Sequence, residues 1–210
     1  MPENVDWSLM AILDREWLRG RPLESVASGI IQGGASVLQY RDKISETAGL
    51  FHNAEILRRL TEAGRIPLII NDRLDIALAV GADGVHAGQA DLPLAVIRSL
   101  APGMTVGISV SSTEEFNRSP DADYYGVGAV FPTSSKRVSN VPGLPLIEAI
   151  RRRAWQPLIA IGGIDESNVE AVIRSGCDGV AVISAILGEE DVEKATRRLR
   201  LRIDRIKGGS

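Results

Sequence analysis

The sequence predicts an α/β chain folded as one (β/α)8 TIM barrel, a single domain spanning residues 1–210. Three observations predict it. Short apolar runs alternate about eight times with amphipathic stretches, and strict strand–helix alternation demands parallel pairing through right-handed crossovers. Glycine-bearing segments are spread over many strand ends, whereas the rival architecture, an open dinucleotide-binding sheet, would place GxGxxG after its first strand. At 210 residues and 22.6 kDa, the chain fits one short barrel.

The units follow in order. Ser8–Leu13 is an apolar run of strand length, and Leu23–Gln32 shows a helical pattern. Ser36–Tyr40 leads into the helix Thr47–Glu62, and Leu68–Ile70 into Arg73–Val80. Gly84–His86 precedes Pro93–Leu100, where proline suits a helix start. Thr105–Ile108 is followed by the short helix Thr113–Asn117, placed by its capping chemistry. Tyr124–Val127 leads to Gly143–Arg153, Leu158–Ile161 to Ser167–Ser175, and Gly179–Ile183 to Glu190–Ile206. An internal echo supports the unit: residues 33–37 (GGASV), 81–85 (GADGV) and 176–180 (GCDGV) each end a helix at glycine and feed a buried strand through a small-residue turn. These are the turns of the barrel's stability face, which makes Cys177 a small packed residue rather than a nucleophile.

Composition excludes several functions. Apolar residues at 44% and charged ones at 24% are ordinary for a folded domain. With 24 basic and 27 acidic residues, a net charge of −3 and a pI near 5.5, no global field draws the chain to nucleic acid or a membrane surface. Anion binding must therefore be local. The basic stretches Arg151–Arg153 and Lys194–Arg205 read as solvated helix faces, since no aromatics interleave them. One cysteine rules out an intramolecular disulfide and a Cys-rich zinc site, and the two histidines, His52 and His86, leave little for a His-based metal centre. A reducing, cytoplasmic location is expected, because acidic Glu3 and Asp6 stand where a signal peptide would be basic and no apolar run nears about 18 residues.

Chemistry in such a barrel belongs at the C-terminal strand ends. After the second strand, alternation points Gln39, Arg41 and Lys43 to one side, two cations and an amide suited to a polyanion. We include the intervening Tyr40 and Asp42 in the substrate-binding segment. Asn71-Asp72 and Asp91 follow the third and fourth strands. Two carboxylates with amide oxygens nearby and no thiol or imidazole partner suit Mg²⁺, although either aspartate could instead cap the helix after it. His86, without a paired carboxylate or nucleophile, reads as a packing or supporting residue. Ser109 and Ser111 bring hydroxyls to the mouth, with no triad beside them. The loop after the sixth strand runs through Thr133, Ser134 and Ser135 to Lys136. Gly162-Gly163 and Ile183-Ser184, closing the last two strands, form a backbone cradle for phosphate.

The ordered set QYRDK, NDRLDIALAVGADGVHAGQADLP, GISVS, YYGVGAVFPTSSK, AIGGI and GVAVISAI resembles the thiamine-phosphate synthase family, also called thiamine-phosphate pyrophosphorylases, from about Leu9 to Leu187. The resemblance implies a barrel that joins a hydroxymethylpyrimidine diphosphate to a thiazole phosphate, forming thiamine phosphate and releasing pyrophosphate. It implies that Gln39, Arg41, Lys43, Asn71 and Lys136 hold the diphosphate substrate, that Asp72 and Asp91 hold Mg²⁺, and that Ser109 lies near the pyrimidine. Thr133, Ser135, Gly163, Ile183 and Ser184 would hold the thiazole phosphate. Arg41, Lys43, Ser109 and Lys136 would carry the catalytic work. Small molecules are the expected partners, and a homo-oligomer is compatible with this. The chain departs from the family pattern at Ala87, Ala129, Ser135 and Ser111. Histidine is common at position 111 and is catalytic in the related thiazole tautomerases, so Ser111 counts against a tautomerase, the alternative activity. A silent phosphate-ligand sensor is the other alternative.

Overall fold

A computed structural model describes residues 5–133 and 141–209. The chain alternates as expected: β1 (Leu9–Asp14), a 3-10 turn (Glu16–Leu18), α1 (Leu23–Gln32), β2 (Val37–Arg41), α2 (Thr47–Gly64), β3 (Leu68–Asn71), α3 (Leu74–Ala79), β4 (Gly84–Ala87) and α4 (Leu94–Leu100). There follow β5 (Thr105–Val110), α5 (Thr113–Asn117), β6 (Tyr124–Gly128), α6 (Leu144–Arg151), β7 (Leu158–Ile161), α7 (Val169–Arg174), β8 (Gly179–Val182), α8 (Ser184–Leu187) and α9 (Val192–Gly208). The strands are parallel in sequence order, and β1 pairs with β8 at Met10–Ala181 to close the barrel.

Several element ends shift from the sequence expectation by one or two residues, and two of the shifts have a plain local cause. The eighth strand stops at Val182, because the chain turns immediately into the short α8. The last helix starts at Val192 rather than Glu190, because the Asp191 carboxylate caps it by accepting the Lys194 N–H at 3.0 Å.

Two apolar cores hold the barrel. Alternate strand residues point outward to a large layer shared with the helices, which includes Leu38, Tyr40, Ile70, Tyr125 and Leu158. The others point inward to a small plug of Met10, Ile12, Val37, Ile69, Tyr124, Ile159 and Ala181.

The echo segments share a physical basis at the N-terminal ends of the strands, and Asp123, outside the echo, repeats it. Asp83 Oδ2 accepts the Leu68 N–H at 2.9 Å and Arg58 of α2 at 2.6 Å. Asp123 Oδ2 accepts the Val106 N–H at 2.7 Å and Arg98 of α4 at 2.8 Å. Asp178 Oδ2 accepts the Leu158 N–H at 2.8 Å and Arg151 of α6 at 2.9 Å. In each case the residue before a strand satisfies an N–H at the start of the preceding strand, the first residue in β3 and β7 and the second in β5, while an arginine from the helix that leads into that preceding strand neutralises it. Ser36 does the uncharged equivalent, accepting the Leu9 N–H at 2.9 Å. Trp155, 85% exposed, stands at this same end, in the turn before β7.

Candidate active site

The opposite end of the barrel encloses a cavity of about 580 Å³. Its basic edge comes from β2. Gln39, Arg41 and Lys43 all line the cavity, since alternation along an extended segment sends them to one side. Arg41 pairs with Asp14 at the end of β1, a carboxylate only 1% exposed, and Lys43 pairs with Asp72. The same alternation carries Tyr40 and Asp42 away. Tyr40 is buried in the outer core, donates from its hydroxyl to Asp42 at 2.7 Å and accepts from Asn53 of α2 at 3.1 Å. Asp42 caps the loop by accepting the N–H groups of Ile44 and Ser45. Neither lines the cavity, so inclusion of these two in the binding segment is corrected on geometric grounds.

Next to this edge are the two carboxylates. Asp72 occupies the left-handed region, φ 63°, which aspartate tolerates, and its N–H donates to the His86 carbonyl at 2.8 Å. Asp91 lines the cavity and accepts the Gly88 N–H at 2.8 Å. Neither side chain caps the helix after it. Asp72 meets the cavity through its contacts with Lys43 and Asp91. Burial above all, with the Asp91 carboxylate beside it, raises the Asp72 pKa above the ordinary value despite the opposing pull of Lys43. Two close carboxylates with hard oxygen donors suit a divalent cation, and Mg²⁺ takes few protein ligands because it keeps waters and substrate oxygens. Among the described residues no group of three or more His, Cys, Asp or Glu side chains could hold a metal.

Across the cavity, β7 and β8 supply the backbone cradle. Gly162 and Gly163 have φ of 101° and 64°, and both line the cavity with Ile183 and Ser184. A Cβ on Gly162 would lie 2.7 Å from that of Ala129, and one on Gly163 2.5 Å from the Pro132 carbonyl oxygen. Only glycine allows the two loops this approach. Thr133, in the loop after β6, also lines the cavity. Ser135 and Lys136 lie outside the described residues.

Between the two edges, Asn71, His86, Ser109 and Tyr124 line the cavity. Ser109 Oγ is 2.8 Å from His86 Nε2, and its carbonyl accepts from Gln89 at 2.7 Å. Sequence reasoning missed Gln89 and Glu115 as lining residues. Glu115 accepts from both the N–H and the hydroxyl of Ser111, at 2.6 and 2.9 Å. The signal was present in Ser112-x-x-Glu115, a capping box whose serine accepts the Glu115 N–H at 3.2 Å. Its carboxylate turns to Ser111 and the mouth.

A closed barrel with a cationic edge, paired carboxylates and a glycine cradle around one cavity defines an anion-handling enzyme for small molecules. Residues 9–186 match the family model described as thiamine monophosphate synthase, and the chain belongs to that family. It is 44% identical over 199 residues to a thiamine-phosphate synthase of Chloroflexus aurantiacus, covering 93% of this chain and 92% of the relative. It is 41% identical to a thiamine-phosphate synthase of Alkaliphilus oremlandii, covering 95% and 97%. The solved thiamine phosphate pyrophosphorylase of Pyrococcus furiosus superposes with a TM-score of 0.89 at 37% identity, over 96% of this chain and 98% of that one. The chain is thus a transferase of thiamine biosynthesis. No helix among the described residues is long and apolar enough to cross a membrane.

Proposed function

We propose that this chain joins a hydroxymethylpyrimidine diphosphate to a thiazole phosphate, with Asp72 and Asp91 holding Mg²⁺ and pyrophosphate leaving. One observation carries this reading: Arg41, Lys43 and Asp91 on one side, with Asp72 paired to Lys43, and Gly162, Gly163 and Ser184 on the other border one cavity. The charged edge suits a diphosphate with its metal, and the backbone cradle a monoester. Bound there, Mg²⁺ would supply charge neutralisation for the diphosphate oxygens. The Arg41 fork and the Lys43 ammonium stabilise charge as the methylene C–O bond breaks and its electron pair leaves on the diphosphate oxygen. The thiazole nitrogen lone pair then forms the C–N bond to the pyrimidine methylene. No protein nucleophile is consumed, and the protein's work is leaving-group electrostatics and the alignment of two substrates. Ser109 contacts the pyrimidine, and Lys136 and Ser135 belong to the same proposal. We propose a cytoplasmic reaction, and sedimentation would read whether copies associate.

The test is pyrophosphate release with both substrates. Release is expected with Mg²⁺ and is expected to fall to background with EDTA. Asp72→Ala should lower kcat/KM by at least ~100-fold, the scale of losing a metal ligand's contribution to leaving-group stabilisation. No release from the wild-type chain, or an Asp72→Ala variant as active as wild type, overturns the reading.

A further inference from the structure

The interior of the barrel holds a ring column that the transfer chemistry does not explain. From below the cavity upward it runs Trp7, Tyr124, His86, Ser109, with the Trp7 and Tyr124 rings 4.5 Å apart and His86 5.5 Å from Tyr124. Neighbouring strands make room for it. In the parallel register Gly107 lies between His86 and Tyr124, and Gly126 lies beside Ser109. A Cβ on Gly107 would lie 2.0 Å from Tyr124 Cζ, and one on Gly126 3.0 Å from His86 Cε1. Two glycines are thus required to bring a phenol, an imidazole and a serine hydroxyl into one line.

The hydrogen bonds along this line have a direction. Tyr124 is 0% exposed, and among the described residues its hydroxyl has one hydrogen-bond partner, His86 Nδ1 at 3.0 Å. If Nδ1 carried a proton and donated it, the phenolic proton would be buried without an acceptor, a costly arrangement. The phenol therefore donates and Nδ1 accepts. Burial also raises the phenol's pKa, so the proton stays on the oxygen. A neutral imidazole that accepts at Nδ1 carries its proton on Nε2, 2.8 Å from Ser109 Oγ. Once Oγ accepts there, its own proton is directed elsewhere. The Ser109 backbone is pinned by Gln89, and the hydroxyl borders the cavity.

We infer that His86 is a positioning residue: Tyr124 holds it as the Nε2–H tautomer, and it turns the Ser109 hydroxyl proton toward the bound substrate. Ser109 is thereby a donor to an acceptor atom of a heteroaromatic ring. That the ring is the pyrimidine of a diphosphate substrate rests on the proposed function above, whereas the tautomer does not.

The experiment has two arms. Nitrogen-15 NMR of the histidine-labelled chain is simple to assign, because there are two histidines and His52 is exposed and removable as His52→Gln. The Nε2–H tautomer is expected for His86 at neutral pH, with a mixture in Tyr124→Phe. An Nδ1–H tautomer in wild type, or an unchanged tautomer in Tyr124→Phe, overturns the inference. In the second arm, Tyr124→Phe should raise the KM of the pyrimidine substrate ~10-fold with Ser109 present and less than ~2-fold in a Ser109→Ala chain, as one misdirected hydrogen bond predicts. The KM of the thiazole phosphate should not move. Equal effects with and without Ser109, or equal effects on both substrates, indicate a merely structural role and overturn it. Absence of turnover in wild type would defeat the proposed function, and the tautomer would still decide this inference.

Discussion

At Gly163 the left-handed backbone and the Pro132 carbonyl 2.5 Å from a would-be Cβ act together. Gly163→Ala must either open the contact with the loop after β6 or abandon φ 64°. We expect the KM for the thiazole phosphate to rise ~10-fold or more, about the value of one good hydrogen bond to a charged group, with the pyrimidine KM changed less than ~2-fold. Initial-rate kinetics with each substrate varied in turn checks this, and a uniform change in both would remove Gly163 from the cradle. Residues of this kind were legible in the sequence because a glycine pair, Gly162-Gly163, closes the seventh strand, where barrel loops commonly bind phosphate. Alternation also separated Gln39, Arg41 and Lys43 from their neighbours, and applied strictly it would have removed Tyr40 and Asp42. His86 was harder. Its partner Tyr124 is 38 residues away, and no local pattern links them.

At the scale of elements, three helix–strand turns on the stability face are tied by a carboxylate, Asp83, Asp123 or Asp178, to the strand before them. Asp178→Ala strips the Leu158 N–H of its acceptor and leaves Arg151 without its counter-ion. A loss of about 1–3 kcal/mol is expected, the cost of an unsatisfied buried donor, with both KM values unchanged. Urea unfolding together with kinetics checks it, and altered substrate affinity would contradict the division between the two faces. The repeated Gly-x-Asp-Gly-Val string showed where the Asp83 and Asp178 turns fall, but not that the aspartate reaches across to the neighbouring strand, since a chain pairing of that range has no local signature. The eight alternating units were legible for a simpler reason: a buried parallel strand is an apolar run, and its covering helix an amphipathic one. The ends were read less well. Asp191 moved one helix start by capping, and the insertion of α8 shortened β8.

For the whole molecule, burial leaves an alkaline weakness. Cys177 is pushed up to about 12 by burial and then by Asp178, and Tyr125 to about 12 by burial and then by Asp121. Tyr40 and Tyr124 are raised as well, burial first in both. These groups stay neutral in the folded chain while the unfolded chain loses protons from about pH 9 to 10, at the ordinary thiol and phenol values. The folded state then binds more protons than the unfolded state, so stability is whole below that range and falls as pH rises towards 12. Thermal melts should show Tm steady to about pH 8.5 and declining above it. Cys177→Ala should flatten the first part of the decline, and an unchanged slope would mean the thiol is not the first group to act.

The carboxylate turns have a practical consequence for handling the molecule. They lie at the end of the barrel away from the cavity, and Trp155 projects into solvent beside them. A cysteine put in place of Trp155 would be an accessible thiol, while the native Cys177, buried and held protonated, would not compete for a maleimide. Chains tethered to a support through that point would all stand the same way up, mouths open to the flowing substrate.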